Sequence, residues 1–337
     1  MRGVSVAMEK KKVLFIYYDM FPFIERDLRT LEEKFSVTSV RWRGLSSLLK
    51  IVLLARRSDL TFSWFASGHA AVAVFFSKLY RKKSAVIVGG GEVASVPEMG
   101  YGGMRDFRMS KYLTKFVLKH ADLLLPVSNF TKDEMLKYAS PKNFKVIYNG
   151  VDPDAFRCRS KKGNLVMTVT GVINRTTVKI KGLETFVRTA EHFGNVKFAL
   201  VGRQGDESVS ELKKIAPSNL EFTGFLPLEK LLEYYQRAKV YCQLSAYESF
   251  GVALAEAMLC KCVPVVTERG ALSEVVGDTG FIVPYGNVEA TVEAIGKALK
   301  SGNGDKARER AVRLFSLSKR SEELKNALEE LLSEWSA

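Results

Sequence analysis

The sequence predicts an α/β protein made of two open parallel sheets, each covered by helices on both faces. Three observations carry that expectation. Short apolar runs alternate with helix-length segments along almost the whole chain, the pattern of strand–helix–strand units. The runs are apolar throughout rather than at every second residue, as strands buried on both sides require. The rhythm is interrupted once, at the turn-forming cluster 149–153 and the basic, polar stretch that follows to Gly163, and 337 residues suit two domains.

In the first half the apolar runs 13–18, 37–41, 60–65, 85–88, 123–127 and 145–148 read as strands, with helices over 24–35, 45–57, 69–81, 105–121 and 130–139 between them. The second half repeats the alternation. Strands are expected over 165–170, 196–201, 220–222, 240–244, 263–267 and 281–283, and helices over 182–193, 207–216, 228–237, 250–260, 288–301 and 304–315. The stretch 318–333 reads as a capped amphipathic helix. A domain boundary is expected near 155–162, which gives an N-terminal domain over 1–155 and a C-terminal domain over 156–315. Two such sheets on one short linker leave a cleft, and ligands of open sheets sit beyond the carboxyl ends of the strands.

Composition excludes several classes. At 47% hydrophobic and 26% charged the chain is neither disordered nor collagen-like, and no apolar run reaches the roughly 20 residues of a membrane span. Cys158, Cys242, Cys260 and Cys262 are too few and too irregular for a disulfide framework or a zinc cage, and they fit a reducing cytosol. The first apolar run, preceded by Arg2 and the lysines at 10–12, is too short for a signal core and lacks a small-residue cleavage site. A cytoplasmic location is therefore expected, with Met8 as an alternative start. The net charge of +14 sits mostly in the first half, where residues 1–155 hold 25 Lys/Arg against 15 Asp/Glu. That excess points to an anionic partner: nucleic acid, a phospholipid surface or a phosphorylated substrate.

Three clusters could carry chemistry. The stretch Ser245 to Met258 follows a strand, leads into a helix and holds Glu248 and Glu256 eight residues apart. On one helix they would stand about 80° and some 12 Å apart, so convergence needs Glu248 in the loop and Glu256 on the helix wall. Ser249, Phe250 and Gly251 between them offer backbone N–H groups at a helix start, where an anion or a sugar hydroxyl can be held. A helix N-terminus with an acidic first turn would show the same residues. The second cluster, Gly171 to Gly182, lies past the first strand of the second half. Arg175 and Lys181 could reach back to a diphosphate without help from a metal; a solvated basic loop is the alternative. The third is the run Gly89-Gly90-Gly91-Glu92, followed by Glu98 and a second glycine-rich segment. It matches neither a dinucleotide fingerprint nor a phosphate-binding loop ending in Gly-Lys-Ser/Thr. Glycines there let backbone approach a ligand, although a long connection would also use them.

Other signals are weaker. His69, His120 and His192 lack metal-ligand spacing and read as surface or packing residues, and no nucleophile elbow is present. The segment 45–57 places Leu48, Leu49, Val52 and Leu53 beside Lys50, Arg56 and Arg57. It reads as a core-facing helix with a basic outer side, or as one resting on an anionic membrane. Nucleic acid is not expected as a partner, because basic and aromatic residues are not interleaved in the manner of RNA-binding motifs.

Taken together, these residues resemble the retaining glycosyltransferases of family 4, the group 1 glycosyltransferases. Ala121-Asp122 through Ser128 is similar to that family's Ala-Asp strand, and Val146 to Asp152, with Phe156 following, to its Asn-Gly-Val-Asp segment. Val201-Gly202 and Phe222 to Pro227 fit two further steps. Glu248 and Glu256 fit its pair of glutamates with seven residues between them, with Ala257-Met258 and Pro264-Val265-Val266 in their usual places. Some positions depart from the pattern. Phe21 to Arg26 replace a glycine pair, Gly89 to Gly91 stand where a histidine is frequent, Lys261-Cys262-Val263 alter the approach to Pro264, and Ala271 replaces a glycine.

The resemblance implies a GT-B architecture, two Rossmann-like domains facing across a cleft, with a helix over 316–337 crossing back onto the first. It implies transfer of a hexose from a UDP- or GDP-linked donor to an acceptor hydroxyl, with retention and with no metal or other cofactor. On this reading Arg175 and Lys181 clamp the diphosphate. Glu248, with backbone at Ser249, Phe250, Gly251 and Val252, holds the donor sugar; Glu256 binds the ribose; backbone near Phe225 and Leu226 carries the base. The acceptor, a glycan or a lipid-linked sugar, would meet Gly90, Gly91, Glu92 and Glu98. A nucleotide-sugar epimerase of the same architecture and a non-catalytic anion-binding module are the alternatives.

Overall fold

A computed structural model describes residues 10–105 and 109–333; the alternative start at Met8 lies outside them. Five parallel strands form the first sheet: β1 (Lys12–Tyr17), β2 (Ser36–Arg41), β3 (Leu60–Trp64), β4 (Lys83–Val88) and β5 (Leu123–Pro126), in the order β2-β1-β3-β4-β5. Six more form the second: β6 (Gly163–Ile173), β7 (Lys197–Gln204), β8 (Leu220–Gly224), β9 (Ala238–Gln243), β10 (Val263–Thr267) and β11 (Phe281–Val283), ordered β11-β10-β9-β6-β7-β8 and again parallel. Both are doubly wound orders with a reversal of winding, between β1 and β3 in the first sheet and between β6 and β9 in the second.

Alternate residues of each strand feed opposite layers, which is why the runs are apolar throughout. Val13, Phe15, Phe62 and Ile87 point toward the helices Pro22–Lys34 and Leu317–Ser333, whereas Leu14 and Ile16 meet Ile51, Ala55 and Ala73 on the other side. In the second sheet Met167, Ala199 and Tyr241 pack with the helix Val252–Leu259, and Val166, Leu200 and Val240 with the helices Leu183–Ala190 and Val288–Lys300. Cys242, Cys260 and Cys262 are buried among these apolar residues as free thiols, and burial raises the pKa of all three.

The helix Leu317–Ser333 returns from the second sheet to cover the first. It packs on Pro22–Lys34, and Leu324, Leu328 and Leu331 enter the same core as Phe15 and Leu31. Its anchor is Arg320, whose guanidinium makes two 2.7 Å bonds to the Asp27 carboxylate and donates to the carbonyls of Ile147 and Tyr148. Trp64 donates its indole N–H to the same carboxylate. Asp27 and Arg320 are almost completely buried.

Two expectations need correction. The segment 145–148 is not a strand. It runs beside β5, with Lys145 and Ile147 donating to the carbonyls of Leu124 and Pro126, but Pro126 has no N–H to return and the ladder stops. The segment 171–182 is not a plain loop, since it contains the helix Arg175–Ile180, closed by a capping box between Asn174 and Thr177. The helix expected over 105–121 is described as Met109–His120, with 106–108 outside the described residues. Among the described residues no helix is long and apolar enough to cross a membrane.

Candidate functional site

The two points of reversed winding face each other, and a cavity of about 480 Å³ lies between them. Its walls from the second sheet are Thr170 and Gly171 at the end of β6, Lys181, and the loop Glu248 to Ala253 that follows β9. Phe65, Gly89, Gly91, Tyr101 and Asn149 close it from the first-sheet side.

Lys181 is aimed by a tight turn. It ends the helix Arg175–Ile180, and Gly182 follows in the left-handed region at φ 60°, where a side chain would run into the Leu244 carbonyl. The ammonium thereby reaches Glu248, 2.5 Å from its Oε2. That oxygen also accepts from Gln243 Nε2 at 3.0 Å, and Gln243 is itself held by the Tyr241 hydroxyl and by Ser245. Glu248 is fixed at its backbone as well: Gly270, at φ 71°, lies directly on it, and Ala271 N–H donates to the Glu248 carbonyl. The second oxygen of the carboxylate and the lysine charge are thus presented to the cavity by a supported frame.

Ser249, Phe250, Gly251 and Val252 also line the cavity. The Phe250 ring turns into the core against Tyr148 and Phe315, so only its backbone serves the cavity. Gly251, at φ 89°, starts the helix Val252–Leu259, and no side chain caps that N-terminus. A positive helix end next to an ammonium suits an anion.

Other expected residues lie elsewhere. Arg175 is exposed and does not line the cavity. Strand β6 runs through an irregularity between Val169 and Val172 and pairs as far as Ile173, which carries the next helix outward, where Arg175 N–H bonds to Asp206. Glu256 is a half-buried residue on the helix wall, outside the cavity, with the Tyr235 hydroxyl 3.4 Å from its Oε2. Burial pushes its pKa up to about 7, against the nearby Arg26 charge and the tyrosine bond. Phe225 and Leu226 follow β8, two strands from the reversal, with the Phe225 ring exposed.

The glycine-rich segment is ordered rather than a loose connection. The Glu92 carboxylate accepts from the N–H groups of Ala66, Gly89 and Gly90, which staples it to β3 and β4, and burial raises its pKa. Glu92 is therefore occupied by its own loop. Gly90, at φ 110°, is pressed against Ser249, and its carbonyl accepts from the Tyr247 hydroxyl, so it joins the two lobes. Gly91 lines the cavity, whereas Glu98 sits exposed in the turn Pro97–Met99. His69 is a packing residue, its ring nitrogens bonded to Trp64 O and Ser67 and its pKa lowered by burial to about 4.

Three site features escaped the sequence. Asn149 is buried at the cavity wall, and its carboxamide oxygen has no partner among the described residues. Its place in a turn-forming cluster concealed that. Tyr101, across the cavity, has a pKa raised to about 12 by burial and by the carboxylates of Glu248 and Glu92. Glu274 joins the lobes: its carboxylate accepts from Asn129 N–H and side chain, Phe130 N–H and the Tyr148 hydroxyl. Replacing it as Glu274→Gln puts an amide N–H among these donors. Hydrogen bonds to a charged group contribute about 1.5–3 kcal/mol each. The variant is expected to lose about that much stability and to have a larger radius of gyration by small-angle scattering; an unchanged radius would remove its role as a latch.

Comparison with known proteins agrees with this geometry. Residues 161–314 match the family described as "Glycosyl transferases group 1", and residues 97–155 match "Glycosyltransferase Family 4". The two matches are consecutive and together span well over half of the chain. The chain belongs to the family 4 group 1 glycosyltransferases. Within this glycosyltransferase family, it is 26% identical over 64% of its length to the phosphatidylinositol N-acetylglucosaminyltransferase of Arabidopsis thaliana, of which 51% is covered. It is 27% identical over 60% of its length to MMP alpha-(1->4)-mannosyltransferase of Mycolicibacterium hassiacum, of which 53% is covered. The chain thus spans about half the length of these two relatives. Its fold superposes on that of Anabaena HepE in complex with UDP with a TM-score of 0.78, over 95% of this chain and 100% of the other at 17% identity, which supports the GT-B architecture.

Proposed function

We propose that the protein moves a hexose from a UDP- or GDP-linked donor to an acceptor hydroxyl with retained anomeric configuration. The observation that carries this reading is the grouping of Lys181, Glu248 and the uncapped start of the helix Val252–Leu259 around one cavity, at the reversal points of both sheets. The residues 156–315 would bind the donor and 1–155 the acceptor, with 316–337 tying the two together.

In this scheme the bond between the sugar C1 and the β-phosphate oxygen breaks, and an acceptor oxygen bonds to C1 on the same face. The acceptor proton passes to the departing phosphate. Negative charge grows on that phosphate as the sugar becomes oxocarbenium-like, so a preorganised cation and helix end nearby lower the barrier. We assign the diphosphate to Lys181 and the backbone at 249–252, and sugar hydroxyls to Glu248. The orphaned oxygen of Asn149 suits one more hydroxyl of a substrate. Arg175, which stands outside the cavity, takes no part in the clamp. Glu256 receives the ribose hydroxyls and the segment at Phe225 and Leu226 the base, on the family resemblance. The two relatives are named for N-acetylglucosaminyl and mannosyl transfer, which supports a hexose-type donor, and the first name includes a lipid.

A panel of UDP- and GDP-linked sugars tests the reading. Nucleoside diphosphate should be released when acceptor is supplied, and NMR of the product should show the donor's anomeric configuration. An inverted product would sink the retaining route. A changed sugar still linked to its nucleotide would favour an epimerase, and binding without turnover an anion-binding module.

Glu256 gives this proposal a pH signature. Its native pKa near 7 lies above the ordinary 4.5. Below 4.5 both states hold the proton; between 4.5 and 7 the unfolded chain releases it while the native protein keeps it, so stability falls as pH rises. Glu256→Gln is expected to remove that fall, about 3 kcal/mol at most, and to weaken binding of the nucleoside diphosphate. Thermal melts across this pH range that keep the same slope in the variant would reject the shift.

A further inference from the structure

Three neighbouring helices on the outer side of the first sheet, Leu45–Arg57, Gly68–Leu79 and Met109–His120, expose apolar residues that the core does not use. Leu45, Leu49 and Leu53 form a stripe at four-residue spacing on the first. Phe75 and Leu79 do so on the second, and Met109 and Tyr112 stand on the third. Each of these seven is more than half exposed, and Leu45 is 85% exposed. Scattered apolar residues are ordinary on a surface, but seven on three adjoining helices form a patch. Between the helices runs a groove of about 410 Å³ walled by Trp42, Val72, Phe75, Phe76, Leu113 and Phe116, all apolar.

Charge identifies what covers this face. The three helices contain no aspartate or glutamate, while Lys50, Arg56, Arg57, Lys78, Lys111, Lys115 and Lys119 lie on them. Arg56, Arg57, Lys115 and Lys119 are exposed beside the apolar stripes. A second copy of the chain would bring seven cations against seven, and nucleic acid would leave the leucine stripe uncovered. An apolar stripe flanked by cations matches an anionic bilayer, whose acyl boundary takes the leucines and whose headgroups take the basic residues. The groove also begins where the cavity lies: Trp42 follows β2 and Gly68 follows β3, at the same carboxyl ends from which Phe65 and Gly89 enter the cavity.

We propose that this three-helix face docks the protein on an anionic lipid bilayer, with the groove receiving an acyl or prenyl chain. The proposal rests on the surface alone and does not depend on the transfer reaction, which the nucleotide-sugar panel tests separately. The whole protein is floated with vesicles of phosphatidylcholine, with and without about 30% phosphatidylglycerol, at about 0.05 and 0.5 M salt. It should float with the anionic vesicles and be released by salt. Leu49→Glu combined with Leu53→Glu should lower vesicle affinity at least about tenfold, since it sets two charges into the apolar boundary. Arg56→Ser with Arg57→Ser, which touches no buried side chain, should lower it about tenfold or more at low salt, each basic residue contributing about 1 kcal/mol near such a surface. If the leucine variant does not fold, the arginine variant decides. Failure to float at low salt, equal binding to neutral vesicles, or undiminished binding of the arginine variant would overturn the proposal. So would sedimentation showing a dimer in solution that the leucine variant dissociates.

Discussion

Lys181→Ala is expected to lower turnover about 10²–10³-fold, the loss that follows removal of one preorganised donor from a site where charge develops. Lys181 is well placed for so large an effect. Its backbone is locked by the left-handed turn at Gly182, and its ammonium is already oriented by Glu248, so little reorganisation accompanies the charge growing on the phosphate. The side chain is partly exposed and lies outside the core, so the thermal midpoint should move little. Lys181→Arg should recover only part of the rate, because the longer planar group cannot occupy the same position between Glu248 and the helix start. Steady-state kinetics with a saturating donor decide the matter. A rate within a few-fold of the parent would transfer the phosphate role to the helix N-terminus alone.

Arg320→Leu should cost about 3–5 kcal/mol of stability, the penalty for leaving one charge of a buried pair behind. The buried carboxylate of Asp27 would keep only the indole N–H of Trp64, and the carbonyls of Ile147 and Tyr148 would lose their donor. Removing both charges with Asp27→Leu and Arg320→Leu should recover much of the loss, since the uncompensated charge then disappears. Urea unfolding of the parent, the single variant and the double variant measures this. Loss of less than about 1 kcal/mol in the single variant would mean that water reaches the pair.

The fold was legible because its signals are local and repeated. Helices such as Leu45–Arg57, Leu228–Arg237 and Gly304–Phe315 occur where periodicity put them, and strands covered on both faces announce themselves as unbroken apolar runs. The failures have particular causes. At 145–148 the apolar run was real, but its ladder partner is a proline. At Arg175 the residue type was right and the placement was not, because the irregularity in β6 and the added helix are set by pairing with β7 rather than by spacing along the chain. Glu248 could be found from its motif. Glu274, Asn149 and Gln243 could not, since each matters through its surroundings in space: Asn129 lies 145 residues from Glu274. Glu92 was noticed for its charge, and that charge is used by its own loop.

The bond between Asp27 and Arg320 joins residues 293 positions apart. During synthesis the early sheet must therefore emerge from the ribosome with one flank bare, because the helix that shields Phe15 and Leu31 is made after the entire later sheet. A nascent chain halted just before Leu317 should remain sensitive to protease within its first lobe even after that lobe has left the exit tunnel. Release of the remaining segment should confer resistance on both lobes together.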